Sequence, residues 1–288
     1  MLWNIFSFKT SDGLDLYGGL IKAKKSQAKH SKAEKTIVVH VHGMTDFFYD
    51  GKLVETVAQA ANAAGYDFFA FNNRGMGSVS LISKQFLGTS LEKFEDCTYD
   101  ISGALQALRG LGYEKFILSG HSTGCQKITY YASEVKKFSI EALILMSPAD
   151  DLAVQRKALG NKFEKYFNEA KKLVQDHNGD TILPSEFKTP MWSAKRFYHL
   201  FKETSVEGNI FNYERPITMT GKIKRPIMAL FGSEEQYAVM SPSDMLKKIA
   251  NSFADAKSKT VLIPGADHSF HGEEKALYAA LRKFFTSL

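Results

Sequence analysis

A serine flanked by glycines is the residue of this sequence best placed to do covalent chemistry. Residues 120–124 read Gly-His-Ser-Thr-Gly, the G-x-S-x-G pattern, with Ser122 at the centre. An apolar run at residues 116–119 precedes it, and a helical pattern begins at Thr123. A serine on such a strand–turn–helix is exposed and lies at a helix N-terminus, which stabilises developing negative charge. Ser122 is therefore predicted to be a nucleophile that attacks a carbonyl carbon.

A phosphate-binding loop is the alternative interpretation, because it also joins a strand to a helix through glycines. Such a loop needs Gly-Lys followed by Ser or Thr, but Cys125, Gln126 and Lys127 follow here. The serine hydrolase interpretation is therefore favoured.

A serine hydroxyl is a weak nucleophile and requires a neighbouring base. His268 follows the apolar run 260–263 and a turn containing Gly265, and a helical pattern starts soon after it. In hydrolases with a G-x-S-x-G turn, the chain order is serine, acid, histidine. His268 is predicted to be the base, and His271, further from the end of the strand, is the weaker candidate.

The third member of such a site is a carboxylate that orients the imidazole. It is expected after the apolar run 227–231, where Glu234 and Glu235 are adjacent. Neighbouring side chains cannot both point at one imidazole, and Glu235 is preferred over Glu234. Asp150 and Asp151, after the preceding strand, remain alternatives.

Two backbone N–H groups are needed to stabilise the oxyanion that forms on the attacked carbonyl. The loop after the β-branched run 36–41 supplies the N–H of Met44, and the residue after the nucleophile supplies that of Thr123. His40 and His42 have a spacing that could bind a metal. No cysteine or acid cluster accompanies them, so they are predicted to be structural, and no metal site is expected.

Strand and helix patterns alternate along the chain and predict the elements that position these residues. Strands are predicted at residues 2–8, 14–21, 36–41, 66–71, 116–119, 142–146, 227–231 and 260–263, and helices at 52–64, 96–109, 123–136, 243–253 and 273–285. The first two strands read as a hairpin. The rest predict a mostly parallel sheet covered on both faces, with its site at the carboxyl ends of the strands.

The alternation stops between residues 151 and 221, where apolar residues recur at helical spacing instead. This segment is predicted to be a helical insertion. Most of its aromatic residues are expected to form its own core, while some line an apolar or aromatic pocket: Phe163, Tyr166, Phe167, Trp192, Phe197, Tyr198, Phe201, Phe211 and Tyr213. Its lysines are predicted to form a solvated face, although an acidic substrate is the alternative: Lys157, Lys162, Lys165, Lys171 and Lys172.

Composition is that of an ordinary globular protein, with 288 residues, 44% hydrophobic and 24% charged, and a net charge of +6. No apolar run is long enough to span a bilayer, no signal peptide is recognised, and the two cysteines form no disulfide framework, so a cytoplasmic location is expected. Six lysines cluster near the start of the chain: Lys22, Lys24, Lys25, Lys29, Lys32 and Lys35. No aromatic residues interleave them, so a solvated loop is predicted rather than a nucleic-acid or membrane site.

Taken together, these motifs resemble the characteristic motifs of the α/β-hydrolase superfamily, in the order in which they occur along the chain. The resemblance covers nearly the whole chain and is carried by His42-Gly43, residues 73–78, residues 120–124, residues 232–235 and Asp267-His268. It implies an α/β-hydrolase fold: a mostly parallel, doubly wound sheet with an N-terminal antiparallel hairpin and a helical cap. Residues 1–150 and 222–288 would form the core, and residues 151–221 the cap or lid.

The resemblance also assigns roles by matching position. It implies Ser122 as nucleophile, His268 as base and the N–H groups of Met44 and Thr123 as oxyanion donors. In the usual G-x-x-D pattern the acid stands three places after the glycine, which is Glu235 here, although glutamate departs from the commoner aspartate. Asn73 likewise stands where many relatives carry aspartate. Residues 72–75 together with 146–148 are similar to a branch of uncharacterised or siderophore-esterase-like hydrolases.

The activity implied is hydrolysis of a carboxylic ester through an acyl-enzyme, with no cofactor. The substrate is expected to be a small-molecule ester with an apolar or aromatic acyl group, and the oligomeric state stays open. The alternatives on the same machinery are an acyltransferase, a thioesterase, a peptidase or a carbon–carbon hydrolase, because fold alone does not select among them. A further alternative is a non-catalytic binding protein, against which the complete serine and histidine argue.

Overall fold

The computed structural model describes residues 2–24, 35–49, 51–184 and 191–288. Three lysines of the predicted basic loop are described and exposed, namely Lys22, Lys24 and Lys35. The other three lie outside the described residues: Lys25, Lys29 and Lys32.

The strands of the protein form one large sheet and one small hairpin. They are β1 (Asn4–Lys9), β2 (Asp15–Ile21), β3 (Thr36–Val41), β4 (Asp67–Phe71), β5 (Ser80–Ile82), β6 (Gln85–Leu87), β7 (Lys115–His121), β8 (Ser139–Met146), β9 (Ile227–Gly232) and β10 (Lys259–Ile263). In the described part of the chain, eight of them form a sheet in the order β1-β2-β4-β3-β7-β8-β9-β10. β1, β2 and β4 pair antiparallel, and all other pairs in this sheet are parallel.

Helices cover both faces of this sheet. The helices of the described residues are α1 (Gly51–Ala63), α2 (Cys97–Gly110), α3 (Thr123–Glu134), α4 (Asp151–Leu159), α5 (Phe163–Gln175), α6 (Ala194–Phe201), α7 (Val206–Ile210), α8 (Pro242–Ala250) and α9 (Glu274–Phe285). α1 and α9 contribute to one apolar cluster, and α2, α3 and α8 contribute to the other. Every residue of β3 is buried, as expected for a central parallel strand covered on both sides. The protein therefore has the predicted α/β-hydrolase fold.

Residues 151–221 contain α4 to α7 and a third apolar cluster. Most of the aromatic side chains of this segment are buried, and the cluster includes Phe163, Tyr166, Trp192, Phe197 and Phe201. The five lysines singled out in the sequence are all exposed. Within the residues described, no helix is both long and apolar enough to cross a membrane.

The hairpin of β5 and β6 was not predicted from the sequence. Its turn residues Ser83 and Lys84 have φ values of 48° and 67°, in the left-handed region that favours glycine or asparagine. Neither residue is the glycine or asparagine that such a turn favours, so the hairpin lacks its usual sequence signal.

Candidate functional site

Ser122 lies on a sharp turn between β7 and α3. Its backbone is strained, with φ 52° and ψ −127°, and its N–H donates to the carbonyl of Met146 at 2.9 Å. Only glycine fits at position 124 without a steric clash, because a Cβ there would come within 2.1 Å of the carbonyl oxygen of Val41. This turn places Ser122 at the carboxyl edge of the sheet and at the N-terminus of α3.

His268 and Glu235 come from the loops after β10 and β9 and meet in a hydrogen bond. His268 Nδ1 donates to Glu235 Oε1 at 2.7 Å, and the Glu235 side chain is only 1% exposed. The other residues considered from the sequence make different contacts. Glu234 Oε1 accepts from Ser233 Oγ at 3.1 Å, and Asp150 caps α4 through the N–H of Ala153 at 2.9 Å.

The remaining candidates also pair elsewhere. Asp151 Oδ2 accepts from Gln126 Nε2 at 3.0 Å. His271 is 66% exposed, and its Nδ1 donates to Asp267 Oδ2 at 2.8 Å. Among the six acids and histidines considered from the sequence, Glu235 and His268 are thus the pair that the structure brings together.

Burial and this pairing set the protonation states of the two groups. Burial lowers the pKa of the His268 imidazole, and the hydrogen bond and charge of Glu235 offset only part of that shift. Burial by itself raises the pKa of Glu235, but the interactions with His268 and the N–H of Tyr237 outweigh it, so the net shift is downward. An ionised Glu235 beside a neutral His268 is the stable arrangement near neutral pH.

The backbone of His268 is held by three side chains that the sequence did not single out. Its carbonyl accepts from His121 Nε2 at 2.9 Å and from Ser147 Oγ at 3.0 Å, and its N–H donates to Gln236 Oε1 at 2.8 Å. Ser147 is fully buried and has φ 52°, a second strained position at the carboxyl edge of the sheet. These bonds fix the loop that carries the imidazole.

The loop that contains Met44 is also fixed by a side chain missed in the sequence. Thr45, with φ 60°, donates its N–H to Thr89 Oγ1 at 2.9 Å. Thr89 in turn donates to the carbonyl of Gly75 at 2.6 Å, and its own carbonyl accepts from Arg196 Nε at 3.1 Å. Thr89 therefore connects the Met44 loop to α6 of residues 151–221.

A buried network of charges extends this connection. Lys127 Nζ, on α3, donates to Glu92 Oε2 at 2.7 Å and to Asn73 Oδ1 at 2.9 Å. Arg196 donates to both carboxylate oxygens of Glu207, at 2.6 and 2.8 Å, and to Glu92 at 3.3 Å. Removing one partner of such a network leaves another charge buried and unpaired, which is strongly destabilising. The network ties α3 to the helices of residues 151–221.

His40 and His42 are buried and engaged within the protein. His42 Nδ1 donates to the carbonyl of Gly43 at 2.8 Å, and its Nε2 accepts from the N–H of Asn73 at 3.1 Å. Burial lowers the pKa of His40 to about 3 and that of His42 to about 4. Over the described ranges, no group of three or more histidine, cysteine or acidic residues could hold a metal ion.

A cavity of about 300 Å³ opens above Ser122 and His268. Met44 lines it on the side of β3, and Thr123 is buried directly after Ser122. Residues 151–221 contribute Asp151, Val154, Gln155, Trp192 and Phe201 to its wall. Of the predicted site residues, Met44, Ser122 and His268 thus line one cavity between the carboxyl edge of the sheet and residues 151–221.

Solved structures with the same fold include a siderophore hydrolase and a monoglyceride lipase. The chain is 17% identical to Est1E from Butyrivibrio proteoclasticus, solved with ferulic acid bound, with a TM-score of 0.69 over 97% of this chain and 98% of that one. It is 17% identical to the siderophore hydrolase EstB from Aspergillus fumigatus, with a TM-score of 0.69 over 99% and 98% of the two chains. A soluble variant of monoglyceride lipase from Saccharomyces cerevisiae is 16% identical, with a TM-score of 0.64 over 97% and 94%.

No curated protein sequence matches the chain. Residues 19–286 match a family described as "Protein of unknown function (DUF1749)", which is nearly the whole length. The chain therefore belongs to the DUF1749 family and is an α/β-hydrolase by fold.

Proposed function

We propose that this protein is a serine hydrolase that cleaves a carboxylic ester through an acyl-enzyme intermediate. The observation that carries the proposal is the shared cavity of Ser122, on its strained turn, and His268, whose Nδ1 is bonded to the buried carboxylate of Glu235. A serine and a histidine that share a cavity, with a carboxylate bonded to the histidine, are the groups that nucleophilic acyl transfer uses.

In this mechanism Glu235 holds the proton of His268 on Nδ1, which leaves Nε2 free to accept the proton of the Ser122 hydroxyl. Ser122 Oγ attacks the ester carbonyl, and the N–H groups of Met44 and Thr123 stabilise the oxyanion. His268 then gives its proton to the leaving alcohol. A water molecule, activated by the same imidazole, hydrolyses the acyl-enzyme and restores Ser122.

Residues 151–221 are proposed to act as a cap on a core made of residues 1–150 and 222–288. Val154, Trp192 and Phe201 of this segment line the cavity, which supports a small-molecule ester with an apolar or aromatic acyl group. The Est1E structure with ferulic acid offers a parallel for an aromatic acid in such a site. We further infer a cytoplasmic location, because Cys97 and Cys125 are both free.

The experiment that tests this proposal is a hydrolysis screen with the purified protein. Its substrates are esters of graded acyl length, esters of aromatic acids, a matched thioester and a matched amide. We expect turnover of carboxylic esters above the other classes. Preferred turnover of the thioester or the amide would assign a different acyl-transfer reaction, and turnover of none would contradict the proposal.

The acid can be tested by a matched pair of variants. Glu235→Gln is expected to lower kcat strongly, by about 10³- to 10⁴-fold, because an amide supports the wrong tautomer of His268. Glu234→Gln is the control, since Glu234 contacts Ser233 and not the imidazole. Steady-state kinetics of both variants decide the assignment, and a larger loss in Glu234→Gln would move the role to Glu234.

The pH profile follows from the direction of the His268 shift. Because burial holds its pKa below the ordinary 6.5, the imidazole stays unprotonated to lower pH than a free histidine. We expect kcat/KM to fall on the acid side with a midpoint below 6.5. In Glu235→Gln the residual activity should show a still lower midpoint, since Glu235 raises the pKa of His268. A wild-type midpoint above 6.5 would contradict this assignment.

A further inference from the structure

The cavity above Ser122 is acidic, although the protein as a whole carries a net charge of +6. Two acidic side chains line it: Asp46 from the loop after β3, and Asp151 from the start of α4. Among the described residues that form its wall there is no lysine or arginine. A cavity with acids and no fixed cation at its surface favours a ligand of positive charge.

Asp46 supplies a permanent negative charge. Burial raises the pKa of Asp46, but the interactions with His121, His42 and His268 outweigh burial, so the net shift is downward and the carboxyl is ionised. Asp46 Oδ2 is 3.7 Å from His121 Nδ1, and its side chain is 42% exposed. The carboxylate therefore stands next to the predicted oxyanion loop with much of its surface open to a ligand.

Asp151 lies in the first turn of α4, and its Oδ2 accepts a hydrogen bond from Gln126 Nε2 at 3.0 Å. Burial, with the nearby charges of Glu207 and Asp150, raises its pKa well above the ordinary value. A cation bound in the cavity would oppose this shift and favour the ionised form. A cation that enters the cavity would thus stabilise the ionised form of Asp151 and pair with it.

A second observation on the same wall concerns a buried polar group. Trp192 lines the cavity, is 3% exposed, and within the described residues its buried indole Nε1 has no hydrogen-bond acceptor. A buried donor without an acceptor is costly unless a bound molecule satisfies it. Phe201 and Tyr237 also line the cavity, and aromatic faces attract ammonium groups.

An anionic substrate has no comparable support. The lysines of residues 151–221 that could have favoured one are exposed, and none of them lines the cavity. Arg196, a buried cation of this segment, is already bonded to Glu207 and Glu92.

We propose that the ester substrate carries a cationic group, a protonated amine or a quaternary ammonium, which Asp46 and Asp151 bind beside the aromatic wall of the cavity. This inference rests on the proposed ester hydrolase function and names its substrate class. The cation is part of either the acyl group or the alcohol of the ester. The two substrate pairs below distinguish these positions.

The test compares isosteric esters that differ only in charge. The choline ester of an aromatic acid is paired with its 3,3-dimethylbutyl ester, and methyl 4-trimethylammoniocinnamate is paired with methyl 4-tert-butylcinnamate. Acid release is followed by titration at constant pH. We expect kcat/KM of the cationic member to exceed that of the neutral one by about 10-fold or more in at least one pair.

Variants then assign the preference to the two acids. In Asp46→Asn and Asp151→Asn the ratio of the two kcat/KM values should fall towards unity. Asp176→Asn, on the exposed end of α5, is the matched control and should keep the wild-type ratio. Because the wild-type ratio needs no variant, the proposal stays testable even where a variant does not fold.

The outcomes are distinct. Equal turnover of charged and neutral esters in both pairs would overturn the cationic substrate while the ester hydrolase function stands. A preference that persists in both aspartate variants would also overturn it. No turnover of any ester, with no labelling of Ser122 by a fluorophosphonate, would overturn the proposed function and this inference together.

Discussion

Ser122→Ala is expected to abolish ester hydrolysis, with kcat reduced by about 10⁴- to 10⁶-fold. The substitution removes the oxygen that forms the acyl-enzyme, and no other hydroxyl in the mechanism can replace it. The fold should be unaffected, because alanine keeps the Cβ and the backbone N–H that bonds to Met146. Circular dichroism and thermal unfolding of the variant would check that the loss is chemical.

The control for this variant is Ser139→Ala. Ser139 is exposed at the start of β8, at the opposite edge of the sheet from the site. Its replacement should leave turnover within a factor of about two, as for surface substitutions in general. Activity close to the wild-type value in purified Ser122→Ala would remove Ser122 from the mechanism.

His268→Ala is expected to cause a loss of similar size, about 10⁴- to 10⁶-fold in kcat. Without the imidazole, Ser122 has no base and the leaving alcohol has no acid, so both half-reactions are affected. The matched control is His271→Ala, three positions later in the same loop. His271 is 66% exposed and pairs with Asp267, so its loss should have a much smaller effect.

Steady-state kinetics of the two histidine variants separate the assignments. If His271→Ala loses more activity than His268→Ala, the base has been misassigned and His271 takes the role. Effects of Ser122→Ala and His268→Ala should also not add in the double variant, because the two residues act as one unit.

The main elements of the fold could be predicted because their signals are local. The β-branched run of β3 and the apolar runs of β7 and β9 are buried on both faces, which makes them recognisable without knowing their partners. The turn at residues 120–124 was recognisable because glycine is needed where chain segments approach closely, as at Gly124.

Contacts between distant segments could not be predicted in this way. Lys127 and Arg196 are charged residues in helices, and a sequence pattern places such residues on the surface, yet both are buried against Glu92. Thr89 and Ser147 have no motif that reveals their hydrogen bonds to the Met44 and His268 loops. These interactions follow from the assembled tertiary structure.

The sequence likewise could not show which of the two adjacent glutamates contacts His268. Both follow β9 directly, and their order in the chain does not state which side chain turns inward. In the structure Glu235 is buried and bonded to His268, whereas Glu234 contacts Ser233 at the surface. Whether this geometry carries catalysis is what the paired glutamine variants test.

The most direct test of the ester hydrolase proposal is covalent labelling with a fluorophosphonate, followed by intact mass and peptide mapping. An activated serine attacks the phosphorus, and the adduct resembles the tetrahedral intermediate. We expect one adduct per chain, located on Ser122, with labelling absent in Ser122→Ala and greatly slowed in His268→Ala. An unlabelled wild-type protein, or an adduct on another residue, would contradict the assignment of Ser122 as the nucleophile.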